Sequence, residues 1–142
     1  MDKTKVLFVC IHNSARSQMA EAFLNRIGEK DFAAESAGIE PGKLNPYVVD
    51  VMAEIGYDIS KNSTKSVFDF AGEGRKYDYV ITVCDKDAAE RCPVFYGPHE
   101  HLHWSFQDPS TMEGTEDMKR AKARAVRDEI KRKITQFVAH EL

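Results

Sequence analysis

The sequence lacks any apolar run long enough to cross a bilayer, and residues 1–5 lead into the first predicted strand without the apolar stretch of a signal peptide. We therefore expect a cytoplasmic protein with no membrane partner. It also lacks a basic excess, because 20 Lys and Arg residues stand against 23 acidic residues and leave a net charge of −3. This balance argues against nucleic acid or an anionic lipid surface as a partner. Any anion that the protein binds must be attracted by local groups.

Cysteine is scarce, with three in 142 residues, at positions 10, 84 and 92. In a reducing compartment so few thiols do not form a disulfide framework, so nucleophilic or redox chemistry is the better default for them. The length suits one domain with one substantial core, and we treat residues 1–142 as a single domain.

One stretch near the N-terminus combines a nucleophile with anion-binding groups. Val6-Leu7-Phe8-Val9 predicts a buried strand and residues 17–22 predict a helix. A short loop between a strand and a helix turns backbone N–H groups and the positive end of the helix dipole toward an anion, and it lowers the pKa of a cysteine. Cys10 is therefore predicted to be a thiolate beneath an oxyanion that Arg16 grips with two hydrogen bonds. The predicted oxyanion-binding loop consists of Ile11, His12, Asn13, Ser14 and Ala15.

The side chains around this loop support the same interpretation. Asn13, Ser14 and Ser17 carry amide or hydroxyl groups that can fix the loop and donate to a thiolate, and no proline removes an N–H group. Taken alone, Cys10 would ordinarily be a small buried hydrophobe and Arg16 a solvated charge. Their joint placement favours a thiolate-bearing oxyanion site.

Hydrophobic periodicity predicts strands that alternate with helices, and hence an α/β fold with a four-stranded parallel sheet and helices on both faces. Ligands bind at the carboxyl edge of such a sheet, where we expect Cys10 and Cys84 to emerge together. After the first strand, the predicted strands are Phe32–Gly38, Tyr77–Val83 and Leu102–Trp104. The first predicted helix follows the loop and ends at Gly28, and the second runs from the Asn45 cap to Gly56. A short helical turn is predicted near Val67–Phe70, and the last helix runs from the Thr115 cap to about Ala139.

Four motifs resemble the thioredoxin-coupled arsenate reductases, which share the fold of the low-molecular-weight protein tyrosine phosphatases. The motifs are Cys10–Ser17, Thr82–Cys84, Cys92-Pro93, and His103-Trp104 followed by Asp108-Pro109. The resemblance spans nearly the whole chain. It implies that Cys10 attacks arsenate, that Cys84 attacks the sulfur of the adduct and releases arsenite, and that Cys92 resolves the Cys10–Cys84 disulfide. It further implies that thioredoxin supplies the electrons and that no cofactor is bound.

Two other functions stay open at this point. A phosphatase needs Cys10, Arg16 and an acid such as Asp108, and it has no use for the two other cysteines, whereas a reductase needs a thiol pair that becomes a disulfide. The resemblance implies that Asp108 is the acid and that Ser17 supports the thiolate. Ser110-Thr111 after Asp108-Pro109 departs from the tyrosines of the phosphatases, which favours the reductase. The other alternative is a non-catalytic redox sensor that binds an anion or a metal.

Some members of this family bind potassium behind the loop, at positions that match Asn13, Glu21 and Ser36, with an acid that aligns with Lys65. A lysine cannot ligate a cation. We expect its ammonium group to take the place of the cation and to pair with Glu21, so that no metal is required.

Two expectations concern later segments. The histidines at positions 99, 101 and 103 alternate along a predicted strand, but we expect packing or surface roles rather than a zinc site. Residues 85–98 show no convincing periodicity. Because a disulfide needs Cα atoms about 4.4 to 6.8 Å apart, this segment must rearrange for Cys84 to meet Cys10 and then Cys92. We expect any helical turn in it to unwind on oxidation.

Overall fold

The computed structural model describes residues 3–84, 90–95, 97–109 and 113–141. Its strands form one sheet in the order β2-β1-β3-β4, with every neighbouring pair parallel. The strands are β1 (Thr4–Cys10), β2 (Phe32–Gly38), β3 (Tyr79–Thr82) and β4 (Glu100–His103). The helices are α1 (Arg16–Ile27), α2 (Pro46–Ala53), α3 (Val67–Gly72) and α4 (Glu116–Glu141). The predicted α/β fold with a four-stranded parallel sheet is confirmed.

Both faces of β1 are covered, which explains its continuous apolar run. Val6 and Phe8 join the core cluster that includes the apolar faces of α1, α2 and α4. Leu7 and Val9 point to the opposite face and pack with residues of α3. All four side chains are fully buried. The carboxyl end of β1 is thereby held at the edge of the sheet from two sides.

Two helices begin at the caps that the sequence predicts, whereas pairing between strands decides where β3 and β4 begin and end. The Asn45 Oδ1 accepts hydrogen bonds from the backbone of α2, including Tyr47 N at 2.8 Å, and Thr115 Oγ1 accepts from Met118 N at 3.2 Å. The helix α2 ends at Ala53, before the predicted stop at Gly56, because the chain turns there into a left-handed Gly56 with φ 84°. The strands β3 and β4 are limited to the four residue pairs that bond across them.

Three chain segments meet at the carboxyl edge of the sheet. Cys10 ends β1 and pairs with Gly38 at the end of β2. Cys84 follows β3 by two residues.

Within the described ranges, no helix is both long and apolar enough to cross a membrane.

Candidate active site

The loop between β1 and α1 turns its carbonyl groups outward. Four of these carbonyls accept hydrogen bonds of 2.7 to 3.0 Å from backbone N–H groups that follow β2. The donor and acceptor residues are Ile39 to Cys10, Glu40 to Ile11, Gly42 to His12 and Asn45 to Ser14. The Ala15 carbonyl accepts from Met19 N at 3.0 Å, and the Asn13 carbonyl accepts from the Gln18 side chain at 3.2 Å.

This arrangement determines where the loop N–H groups point. None of the described peptide bonds is cis, and in a trans peptide the N–H lies opposite the preceding carbonyl. Since the carbonyls point outward, the N–H groups of the loop point inward. The result is a cradle of donors at the N-terminus of α1, which suits a tetrahedral oxyanion.

Gly38 allows β2 to lie directly against this loop. A Cβ atom at Gly38 would lie 2.8 Å from the Ile11 carbonyl oxygen and 2.9 Å from Asn13 N. Both neighbours are backbone atoms and cannot swing aside as a side chain would. The glycine, predicted only to end a strand and turn the chain, is required here by close approach.

Cys10 lies at the base of the cradle and is 4% exposed. Its pKa is lowered to about 7, chiefly by a hydrogen bond with the Cys84 thiol, against the opposing effect of burial. The charge of Arg16 and a backbone hydrogen bond from Ile11 lower it further, while Asp108 raises it. A large fraction of Cys10 is therefore thiolate at neutral pH, the form that acts as a nucleophile.

Arg16 is the first residue of α1 and is almost fully buried. Its Nη1 donates to the Phe106 carbonyl at 3.0 Å, and its Nη2 lies 3.5 Å from Asp108 Oδ2. Its Nε is buried with no hydrogen-bond partner among the described residues. A buried guanidinium nitrogen without a partner is costly, and this one is able to donate a hydrogen bond to an anion in the cradle.

Asn13 organises the loop from behind. Its backbone is left-handed, with φ 54°, and its side-chain amide is fully used. The amide nitrogen donates to Ser17 Oγ at 2.7 Å and to Ser36 Oγ at 2.9 Å. Its oxygen accepts from Lys65 N at 3.0 Å. Ser17 Oγ therefore acts as an acceptor toward Asn13, which leaves the hydroxyl hydrogen to donate elsewhere.

Behind Asn13 lies an ion pair. The Lys65 Nζ is 3.7 Å from Glu21 Oε1, and Ser36 Oγ donates to the same carboxylate oxygen at 2.9 Å. Burial raises the pKa of Glu21, and the nearby Lys65 partly offsets that effect. These residues do not suit a bound potassium ion, because the Lys65 ammonium already brings a positive charge to Glu21.

The three cysteines are present as thiols and not as disulfides, and they lie in different surroundings. Cys84 is buried in the same core cluster as Cys10, with its sulfur 3.9 Å from the Val9 carbonyl oxygen. Cys92 packs against the cluster on the other face of the sheet. Burial raises the pKa of Cys92 to about 11, so this thiol is protonated at neutral pH.

The segment between these two cysteines lies partly outside the described residues, so the expected helical turn is described only at residues 90–91. Residues 110 and 111, which follow Asp108-Pro109, also lie outside them. Among the described residues no cluster of three His, Cys, Asp or Glu side chains forms a metal site. His103 Nδ1 instead lies 2.7 Å from Thr82 Oγ1.

Sequence reasoning missed two contributors to the site. Gln18 is a fully buried polar residue on α1, and its position on the inward face of a helix, among apolar residues, was a usable signal. The Phe106 carbonyl that orients Arg16 left no signal in the sequence, because any residue can supply a carbonyl.

Comparison with known proteins agrees with this geometry. Residues 5–142 match the family model of the low molecular weight phosphotyrosine protein phosphatases. An arsenate reductase of Halalkalibacterium halodurans is 40% identical over 137 residues, which cover 96% of each chain. A solved arsenate reductase in a phosphate-binding state is 31% identical, with a TM-score of 0.74 over 96% of this chain and 98% of that one. A thioredoxin-dependent arsenate reductase of Corynebacterium glutamicum is 27% identical, with a TM-score of 0.69 over 100% of this chain and 64% of that one.

The fold and the loop together define a class of enzyme that holds a tetrahedral oxyanion against a cysteine nucleophile. The chain belongs to the low molecular weight phosphotyrosine protein phosphatase family, and within that family to the arsenate reductases.

Proposed function

We propose that this protein reduces arsenate to arsenite through a relay of Cys10, Cys84 and Cys92, and that thioredoxin re-reduces it. The observation that carries the proposal is the position of Cys84, which is buried in the same cluster as Cys10 with its sulfur 3.9 Å from the carbonyl oxygen of Val9, the residue before Cys10. Hydrolysis of a phosphate ester has no use for a second thiol at the nucleophile. A reduction needs one there, because two thiols that form a disulfide supply two electrons.

In the first step the Cys10 thiolate attacks the arsenic atom of arsenate and displaces one oxygen as water or hydroxide. Arg16 Nε and the inward N–H groups hold the remaining oxygens and stabilise the charge that develops on them. Asp108, 3.5 Å from Arg16 Nη2, acts as the acid that assists the leaving oxygen. The Ser17 hydroxyl supports the Cys10 sulfur.

In the second step Cys84 attacks the Cys10 sulfur. An S–S bond forms and the S–As bond breaks, and its electron pair stays on arsenic, so that As(V) becomes As(III) and leaves as arsenite. Cys92 then attacks Cys84, which frees Cys10 as a thiolate and leaves a Cys84–Cys92 disulfide. A thioredoxin dithiol reduces that disulfide and becomes oxidised in turn.

The last protein step requires Cys92 to leave its apolar surroundings. Its raised pKa disfavours the thiolate that must attack. The preceding Arg91 is held by Glu40, with 2.8 Å between Nη2 and Oε2, and an exposed ion pair of this kind costs little to break. Movement of the Cys92 segment therefore activates the thiol and brings it to Cys84.

We propose that Asn13, Glu21, Ser36 and Lys65 support the loop without a metal ion. The ammonium of Lys65 compensates the half-buried Glu21, whose oxygen receives the Ser36 hydroxyl. This hydroxyl in turn accepts from Asn13, so that the charge pair stabilises the loop through a chain of hydrogen bonds.

A coupled assay with thioredoxin, its reductase and NADPH tests the relay. Arsenate-dependent NADPH oxidation is expected in the wild type and is expected to vanish in Cys84→Ser and Cys92→Ser. Hydrolysis of p-nitrophenyl phosphate, which needs only the loop and the acid, serves as the matched control and should persist in both variants. Arsenate turnover that survives both substitutions would refute the relay.

A weak phosphatase activity is the second candidate. The observation that favours it is Asp108 placed beside Arg16, because a carboxyl group at the rim can protonate an ester oxygen. In the same pair of assays, hydrolysis of p-nitrophenyl phosphate without arsenate-dependent NADPH oxidation would make phosphatase activity the main function. Binding of arsenate with neither activity would instead support a non-catalytic redox sensor.

A further inference from the structure

Gln18 hydrogen-bonds a backbone carbonyl of the oxyanion-binding loop through its side chain. Of the six carbonyls from Cys10 to Ala15, five accept from backbone N–H groups. The sixth belongs to Asn13 and accepts from the Gln18 side chain, with 3.2 Å between Nε2 and the carbonyl oxygen. A side chain therefore completes a set of bonds that the backbone otherwise supplies.

The residue that Gln18 holds is also the strained one. Asn13 has φ 54°, and it is the one non-glycine residue with positive φ among the described residues. The same Gln18 nitrogen lies 3.1 Å from Asn13 Oδ1, so one of its two N–H groups is shared between the main-chain and side-chain oxygens of Asn13. A left-handed backbone in a residue other than glycine costs about 1 to 3 kcal/mol, with asparagine among the more tolerant residues, and it persists because the surrounding contacts compensate for that cost.

Gln18 is itself held at its far end. Its nitrogen donates to the Ser63 carbonyl at 3.0 Å, and its oxygen accepts from Asn62 Nδ2 at 3.1 Å. The side chain is completely buried. Its orientation is therefore fixed by groups on both sides, and it cannot turn away from Asn13 without leaving buried polar atoms unpaired.

We propose that Gln18 is a positioning residue that holds Asn13 in its left-handed conformation and so aims the loop N–H groups at the bound oxyanion. The φ and ψ angles of Asn13 set the planes of the peptides on either side of it. If Asn13 relaxes, at least one N–H turns out of the cradle, which weakens both anion binding and the stabilisation of the Cys10 thiolate. The inference rests on the proposed function, since it assigns Gln18 to the site where arsenate is bound.

The test compares Gln18→Met with Asn25→Leu. Gln18→Met replaces a fully buried amide on α1 with an apolar side chain of similar length. Asn25→Leu does the same to an exposed amide of α1 whose hydrogen bonds are partly buried. Asn25 exchanges two hydrogen bonds with the backbone of Ala34 on β2, at 2.8 and 3.0 Å, far from the loop. Both variants are expected to lower the urea midpoint of unfolding, so stability alone does not discriminate between them.

Two readouts do discriminate. The rate of Cys10 alkylation by iodoacetamide as a function of pH reports the pKa of its thiol. Calorimetric titration with inorganic phosphate reports the affinity of the cradle for an oxyanion. In Gln18→Met the alkylation profile is expected to move to higher pH and the phosphate Kd to rise roughly 3- to 10-fold, the range for loss of one or two hydrogen bonds. In Asn25→Leu both should match the wild type. Profiles and affinities that coincide in the two variants would reduce Gln18 to a structural residue and overturn the proposal.

Two further variants complete the test. In an Asn13→Gly background, where glycine adopts a positive φ without strain, the effect of Gln18→Met should shrink, and an undiminished effect would contradict the inference. If Gln18→Met does not fold, Asn62→Ala removes the outer support of Gln18 and should move the alkylation profile in the same direction. A wild type that fails to bind phosphate would overturn the proposed function itself, whereas a phosphate-binding wild type with an unaltered Gln18→Met overturns only the role of Gln18.

Discussion

Replacement of Gly38 by alanine tests the contact on which the active-site loop depends. The added Cβ would lie 2.8 Å from the Ile11 carbonyl oxygen and 2.9 Å from both Asn13 N and His12 C. Carbon–oxygen contacts in proteins ordinarily lie at about 3.3 to 3.6 Å, so β2 and the loop must separate by roughly half an ångström. Overpacking of this kind costs about 1 to 3 kcal/mol, and we expect the upper half of that range because all three neighbours are backbone atoms.

The assay is urea unfolding at neutral pH, with the phosphate Kd measured on the same samples. Gly38→Ala should lower the free energy of unfolding by about 2 to 3 kcal/mol and weaken phosphate binding at least tenfold, since part of the separation displaces cradle N–H groups. Gly72→Ala is the matched control, because no atom lies within 4 Å of a Cβ at that position in α3. There the substitution should leave phosphate binding unchanged and stabilise by about 0.5 to 1 kcal/mol. A Gly38→Ala protein with wild-type stability and phosphate affinity would refute the reasoning.

Three other predictions concern the thiols and the ion pair behind the loop. Cys84→Ala should raise the pKa of Cys10 from about 7 by roughly one to two pH units, since a hydrogen bond to a charged group contributes about 1.5 to 3 kcal/mol. An unchanged pH profile of alkylation would contradict this. At pH 8 iodoacetamide should modify Cys10 before Cys92, whose pKa is raised to about 11, and peptide mass spectrometry that finds the reverse order would show that Cys92 is not buried as described. Lys65→Asp removes the ammonium partner of Glu21, so potassium should raise arsenate turnover of this variant by about threefold over a choline control at equal ionic strength. Activation of the wild type by potassium would instead disprove the role of Lys65.

The fold was predictable because its signals are local and repeated. Val6 to Val9 is a continuous apolar run, and a strand buried on both faces needs such a run. Phe32–Gly38 has the bounds that its turn residues predicted. The caps at Asn45 and Thr115 mark helix starts through side-chain chemistry that the sequence displays. The predicted bounds of the strands near Tyr77 and Leu102 were less accurate, because pairing with residues distant in the chain decides where these strands begin and end.

The site was predictable where a residue type itself carries the chemistry. Cys10 and Arg16 flank a strand-to-helix loop, and that spacing is visible in the sequence. The carbonyl of Phe106 and the close approach of Gly38 depend on backbone positions brought together across the sheet, so no residue type announces them. The separation of Cys92 from Cys84 by the sheet was equally hidden, since eight positions along the chain say nothing about which face each side chain joins.

The outward carbonyls of the loop carry a consequence for selectivity. A cradle built from peptide N–H groups and one guanidinium senses the size, shape and charge of an oxyanion, and arsenate and phosphate are nearly the same in all three. We therefore expect cellular phosphate to occupy the loop as a competitive inhibitor. Discrimination then falls to the covalent chemistry, because arsenic accepts an electron pair from its bond to sulfur and phosphorus does not.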